Sequence, residues 1–243
     1  MMMSDSPKVK DDRLISAEIS TISEAGQRYR RDSVVRELEA RLKVDGKLCT
    51  QLFCLPSQFE ELAIGYLKSE GLDPSYISNI EVKEVNPEVY DIWVTLEKEV
   101  YRNPSTVTSK LRIKKEAVFA YIKELEDGGI LFKDTGGTHV VASFNRGSDP
   151  ILIEDVSRLC AIDKLVGACI KRGIAISESV LVTSCRQTYL TMKKEISAAF
   201  PIIISVSAPT ALAVKKADEF GITLAGFARD KRFNVYANDW RIV

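Results

Sequence analysis

Residues 180–206 read VLVTSCRQTYLTMKKEISAAFPIIISV. Val180–Thr183 and Ile202–Val206 are nearly continuous apolar runs, the composition of central strands covered on both faces. The stretch between them, to Ala199, has helical character. A helix joining two such runs implies parallel neighbours and a crossover connection. The same rhythm extends in both directions. Val140–Phe144 and Ile151–Ile153 read as strands, followed by a helix to Lys171. On the other side come a helix over Pro209–Phe220 and strands at Ile222–Phe227 and Phe233–Tyr236. The second half is therefore expected to be a three-layer α/β/α domain on a mixed sheet.

The first half has a different rhythm. Leu38, Ala40, Leu42 and Val44 alternate with charged residues, the period of a half-buried strand. Asp45-Gly46 signals a hairpin turn into Leu48–Cys54. Ser57-Gln58-Phe59-Glu60 has the spacing of a capping box. It opens a helix with Phe59, Leu62, Ala63, Tyr66 and Leu67 on one face, stopped at Gly71. Ile80–Val85 and Val89–Leu96 suggest a second hairpin around Asn86-Pro87. From Tyr101 to Lys115 no period is sustained, as in a linker or exposed loop. A helix over Glu116–Glu126 follows, with Val118, Ile122 and Leu125 on one face and Gly128-Gly129 at its end. The fold expected is α/β overall: an N-terminal α+β domain over residues 13–112 and an α/β/α domain over residues 113–243.

Composition limits the functions. The chain has 243 residues, 45% of them hydrophobic, and 34 basic residues against 34 acidic ones, for a formal net charge of zero. Bulk charge gives no reason to expect nucleic acid or an anionic membrane as partner. No apolar run approaches the roughly 20 residues that span a bilayer. Met1–Asp12 is polar and lacks the apolar centre of a signal peptide, so a cytoplasmic location is expected. The five cysteines are widely spread and odd in number, which is no disulfide framework. With one histidine and no CxxC, HExxH or HxE, a structural metal or a zinc hydrolase is not expected.

In a sheet of this type, ligands bind beyond the carboxyl ends of the strands, where loops lead into helices. The loops concerned contain Gly136, Gly137 and His139; Asp155 and Arg158; Ser184, Cys185 and Arg186; Ser207 and Thr210; and Phe227-Ala228-Arg229-Asp230-Lys231-Arg232. Small residues admit a ligand to the backbone, and helix N-termini with arginines favour phosphate. Each feature also has a plain structural reading: Gly-Gly as a turn, Ser-Ala-Pro-Thr as a helix start, Arg-Asp-Lys-Arg as a solvated hairpin. Cys160 and Cys169 fall on the apolar face of their helix and fit core packing.

Several stretches, taken in order, resemble the FdhD/NarQ family of formate dehydrogenase accessory sulfurtransferases. These are Glu61-Leu62-Ala63-Ile64-Gly65-Tyr66-Leu67-Lys68-Ser69-Glu70-Gly71; Phe132 with Thr135-Gly136-Gly137-Thr138-His139, similar to F-x-x-T-G-G-x-H; and Glu154-Asp155-Val156 with Ala161-Ile162-Asp163-Lys164-Leu165-Val166-Gly167. Ser207–Val214 and Gly226-Phe227-Ala228-Arg229 complete the set. The resemblance covers about residues 15–236. It implies a cytidine-deaminase-like second domain without zinc, and a homodimer. It further implies transfer of sulfur from a cysteine desulfurase to the molybdenum or tungsten bis-guanine-dinucleotide cofactor of formate dehydrogenase. The residues implied to bind that cofactor are Gly136, Gly137, His139, Asp155, Arg158, Asp163, Ser184, Arg186, Ser207, Thr210 and the 227–232 loop.

The departures are specific. The family's C-G-x-C-G motif falls at Asn103–Lys115, which here has no cysteine. E-D-V-G-R-H-N-A becomes Glu154-Asp155-Val156-Ser157-Arg158-Leu159-Cys160-Ala161, and S-G-R becomes Ser184-Cys185-Arg186. Two readings follow: a protein that binds the cofactor as a chaperone or scaffold without carrying sulfur, or one in which Cys185 or Cys160 has become the carrier. Cys185, beside Arg186 and near a helix N-terminus, is the better placed of the two if that setting lowers its thiol pKa. No catalytic residue is otherwise assigned.

Overall fold

The computed structural model describes residues 11–229 and 231–243. The expectation about the extreme N-terminus falls mostly on residues 1–10, outside the described residues. The chain is a mixed α/β protein with three sheets.

The largest sheet has six strands: β7 (His139–Asn145), β8 (Ile151–Asp155), β9 (Ser179–Thr183), β10 (Ile202–Ser205), β11 (Thr223–Arg229) and β12 (Arg232–Ala237). Their order is β12-β11-β10-β9-β7-β8. β9, β10 and β11 run parallel, as the apolar runs require, and the flanking strands are antiparallel to their neighbours. One face is covered by α4 (Arg158–Lys171), α5 (Tyr189–Ala198) and α6 (Ala211–Glu219), and the other by α2 (Lys115–Gly128). Leu181 and Ile203 point to the first layer, while Val180, Val182, Ile202 and Ile204 point to the second. This is the expected three-layer arrangement.

A four-stranded sheet of order β4-β3-β6-β5 comes from the first half: β3 (Leu38–Val44), β4 (Lys47–Cys54), β5 (Ile77–Asn86) and β6 (Val89–Leu96). Both expected hairpins are present. The helix α1 (Phe59–Ser69) covers the apolar face of this sheet. Its N-terminus is not a capping box. Gln58, in a left-handed conformation, occupies the cap and its side chain makes no cap bond. Two elements carry no clear period and were not legible in the sequence. One is the exposed ribbon of β1 (Leu14–Ser23) and β2 (Gly26–Val35), whose apolar residues are too few to alternate. The other is the short α3 (Ile130–Thr135). The segment 101–114 is irregular but not a free loop, because Val107, Leu111 and Ile113 are buried in the second half.

α1 lies directly on α4. A Cβ added to Gly65 would come within 1.8 Å of the Asp163 carbonyl oxygen, and one on Gly167 within 1.9 Å of the Glu61 carbonyl oxygen. The two backbones touch, so only glycine fits at either position. Buried ion pairs flank the crossing. Lys164 Nζ lies 2.5 Å from Asp155 and also donates to the Leu55 carbonyl at 3.0 Å. Lys194 Nζ donates to both oxygens of Asp163 and to Ser69 Oγ. Asp155 and Asp163 thus hold the first half against the second.

Gly65→Ala or Gly167→Ala forces the helices apart. Each substitution is expected to cost about 1–3 kcal/mol or more in urea unfolding; an unchanged midpoint for both would contradict the crossing.

Candidate functional site

The carboxyl ends of β8, β9, β10 and β11 meet along one edge of the large sheet, and α4, α5 and α6 begin there. His139 joins them because β7 runs antiparallel and starts where β8 ends, with His139 paired to Asp155. The loops at this edge are tied to one another. Ser184 Oγ accepts from the Val140 amide and the Ser184 amide donates to the Val140 carbonyl, both at 2.9 Å. Ser207 Oγ donates to the Ser184 carbonyl at 2.9 Å, and the Phe227 amide donates to the Ser207 carbonyl at 3.1 Å. The loops after β9 and β10 pair through Gln187 and Pro209, and Thr210 caps α6 through the Ala213 amide. Four of the predicted loops are therefore one assembly.

Three cationic or potentially cationic side chains converge on it. His139 is half-buried, and its pKa is lowered by burial first and then by the charges of Arg158 and Arg186. The neutral imidazole is thus favoured beside two guanidinium ions. Arg158 opens α4 behind the Ser157 cap, where the helix dipole also favours an anion. Its Nε is buried and has no partner, and neither Arg158 nor the exposed Arg186 is ion-paired among the described residues. The arrangement can bind a phosphate-bearing ligand by charge-assisted, planar hydrogen bonds. Among the described residues, no cluster of three or more metal-ligating side chains exists.

The remaining predicted residues differ in their placement. Asp155 and Asp163 are withdrawn from the ligand set: they are 0% and 1% exposed, and both are engaged by buried lysines. Burial raises both carboxyl pKa values against the opposing pull of those lysines. Gly136 ends α3 with a φ of 67°, and Gly137 packs against Val35 of the ribbon. Phe227 has a positive φ at a bulge, and Ala228 is buried. Arg229 and Lys231 face α2 across a hollow of about 180 Å³ that Phe119 and Lys123 also line. Arg232 is exposed at the same hairpin. Asp230 lies outside the described residues.

The thiol expectation for Cys185 is corrected. Cys185 is fully buried, and burial pushes its pKa up to about 11; the same cause takes Cys160 to about 12. Arg158 acts on Cys185 in the expected direction, but desolvation is larger. Cys54 and Cys169 are also buried, and Cys49 is the exposed cysteine.

Under the 184–188 loop is a group the sequence did not reveal. Glu195 is fully buried and neither carboxylate oxygen has a hydrogen bond of good geometry, with Gln187 the polar side chain that acts on it. Gln187 Nε2, in the loop itself, also lacks a hydrogen bond of good geometry. In the sequence, Glu195 falls in the helical stretch to Ala199 with nothing to mark it as buried.

Burial raises the Glu195 pKa to about 8 from 4.5. The folded protein holds this proton while the unfolded chain releases it. Stability from Glu195 is therefore full below about pH 4.5 and is lost as pH rises through 8. Glu195→Gln is expected to remove this decline, measured as the urea midpoint across that range; a parallel decline in the variant would contradict it.

The model of the FdhD/NarQ family matches residues 92–243. A protein of Methanothermobacter thermautotrophicus named sulfur carrier protein FdhD is 31% identical over 229 residues, covering 87% of this chain and 92% of its own. Its namesake from Saccharolobus solfataricus is 33% identical over 207 residues, covering 77% and 80%. A crystal structure from Desulfotalea psychrophila, described as that of a candidate formate dehydrogenase accessory protein, superposes with a TM-score of 0.83. It is 24% identical and covers 95% of this chain and 99% of its own, a likeness of fold.

Proposed function

This chain belongs to the FdhD/NarQ family, and from that membership we propose that it serves the maturation of formate dehydrogenase. Its substrate there is the molybdenum or tungsten bis-guanine-dinucleotide cofactor, bound at the strand-end edge. The observation that carries this reading is the convergence of His139, Arg158 and Arg186 on one edge, with no carboxylate paired to either arginine among the described residues. Arginines left uncompensated beside a helix N-terminus suit the diphosphate of a dinucleotide. Ser184, Ser207 and Thr210 supply hydroxyls along the same edge, Gly136 and Gly137 flank His139, and the 227–232 hairpin supplies further cations.

A second reading concerns sulfur. The relatives are named sulfur carriers, and carrying sulfur requires a reachable thiolate. Four of the five cysteines here are buried, with thiol pKa values raised, and the 103–115 segment has none. These observations favour a cofactor-binding chaperone or scaffold that has lost the transfer step. In either reading the partners are formate dehydrogenase, a cysteine desulfurase and a second copy of the chain. The exposed Ile15, Ile22, Tyr29 and Val34 of the β1–β2 ribbon suit the last. Among the described residues no helix is long and apolar enough to cross a membrane.

Titration with GDP, as a fragment of the cofactor, is expected to give binding by calorimetry that weakens roughly tenfold or more in the Arg158→Ala, Arg186→Ala double variant. No heat at millimolar GDP would end the cofactor reading. Incubation with a desulfurase and labelled cysteine is expected to leave all five cysteines unlabelled. Persulfide on any of them would restore a carrier role.

A further inference from the structure

At the end of the large sheet opposite the strand-end site, the segment 109–114, just before α2, runs along the C-terminal residues and bridges to them in parallel at Ile113 and Ile242. Leu111 and Ile113 face inward and are buried. The Ile113 amide donates to the Arg241 carbonyl and the Lys115 amide to the Val243 carbonyl, each at 2.9 Å. Its even-numbered positions, Lys110, Arg112 and Lys114, are exposed. Extended backbone alternates its hydrogen-bonding direction, so the Lys110, Arg112 and Lys114 amides point away from the C-terminal segment. The amide and carbonyl of Arg112 have no backbone partner among the described residues. This is a short open strand edge.

A hollow of about 550 Å³ lies beside it, between Lys110-Leu111-Arg112 on one side and Asn145, Arg146 and Glu178 on the other. Lys110, Arg112 and Arg146 form no ion pair among the described residues, whereas many surface lysines and arginines elsewhere do. Lys110 Nζ and the Arg112 guanidinium lie 5.9 and 5.6 Å from the Trp240 ring centre, and the buried Arg241 guanidinium stacks on that ring at 4.0 Å. The row of charge is thus gathered on an aromatic base, with Glu178 as the acidic residue lining the hollow.

We propose that this groove is a docking site for an acidic, extended protein segment, which adds to the open edge through main-chain bonds at Arg112 and places carboxylates on Lys110, Arg112 and Arg146. Peptide addition to an exposed edge takes its affinity from main-chain bonds and its selectivity from alternate side chains, and both elements are present here. A nucleic acid fits less well. Its backbone offers no strand-like donors to an edge of this length, and Trp240 already carries a guanidinium where a base would stack.

The test uses the full chain and a short fluorescent peptide of alternating glutamate and valine, followed by anisotropy at low salt. Binding is expected. It should weaken roughly tenfold or more in a Lys110→Glu, Arg112→Glu, Arg146→Glu variant, whose exposed substitutions leave the circular dichroism unchanged. A peptide of equal charge with proline at the valine positions should bind several-fold more weakly. Three results would each overturn the proposal: no binding by the first peptide, equal binding by the charge-reversed variant, or tighter binding by a single-stranded oligonucleotide of equal charge. GDP titration of the same variant is expected to match the parent, which keeps this outcome separate from that of the cofactor site.

Discussion

The contact of α1 with α4 is the constraint from which the rest of the arrangement follows. Gly65 and Gly167 let two helix backbones meet. That contact brings Leu55 close enough for its amide and carbonyl to engage Asp155 and Lys164, and brings Ser69 to Lys194. Asp155 is the last residue of β8, and Ser157, which caps α4, donates its amide to Asp155 Oδ1 at 2.9 Å. The direction in which α4 leaves the sheet, and hence the position of Arg158, is set by an ion pair whose other contacts are in the first half. A buried pair of this kind need not add net stability, since desolvation offsets much of its attraction. Its effect is to specify one docking geometry: removing either partner would leave a buried charge without compensation.

The two ends of the large sheet differ in chemistry. At the carboxyl edge, serine and threonine hydroxyls tie the loops together and leave Arg158 and Arg186 without carboxylate partners. At the opposite end, the cations of the 109–115 segment face outward along a free backbone edge. A formal net charge of zero therefore conceals two local surfaces of positive charge. The balancing carboxylates are elsewhere, many in ion pairs such as Glu60 and Glu61 with Lys171 or Glu70 with Lys193.

Much of this architecture was legible in the sequence because central strands and amphipathic helices have strong periods. Val180–Thr183 and Ile202–Ser205 could be read as buried parallel strands, and Val118, Ile122 and Leu125 as one helix face. The β1–β2 ribbon could not, because a ribbon exposed on both faces has no reason to alternate. The site was legible as a set of loops but not as a set of roles. Asp155 and Asp163 look like ligands in a motif, yet Lys164 and Lys194 reach inward to pair with them. Cys185 sits beside an arginine in sequence, but its burial depends on the loops after β9 and β10, which only the fold brings together. Glu195 is concealed for the same reason.

Hydrogen–deuterium exchange with and without GDP tests the central claim most directly, because it reports where a ligand sits without depending on any substitution. The account predicts slowed exchange confined to the loops after β9 and β10, the start of α4 and the 227–232 hairpin. Protection at the 109–115 segment instead, or no change at saturating nucleotide, would contradict the assignment of the strand-end edge as the cofactor site.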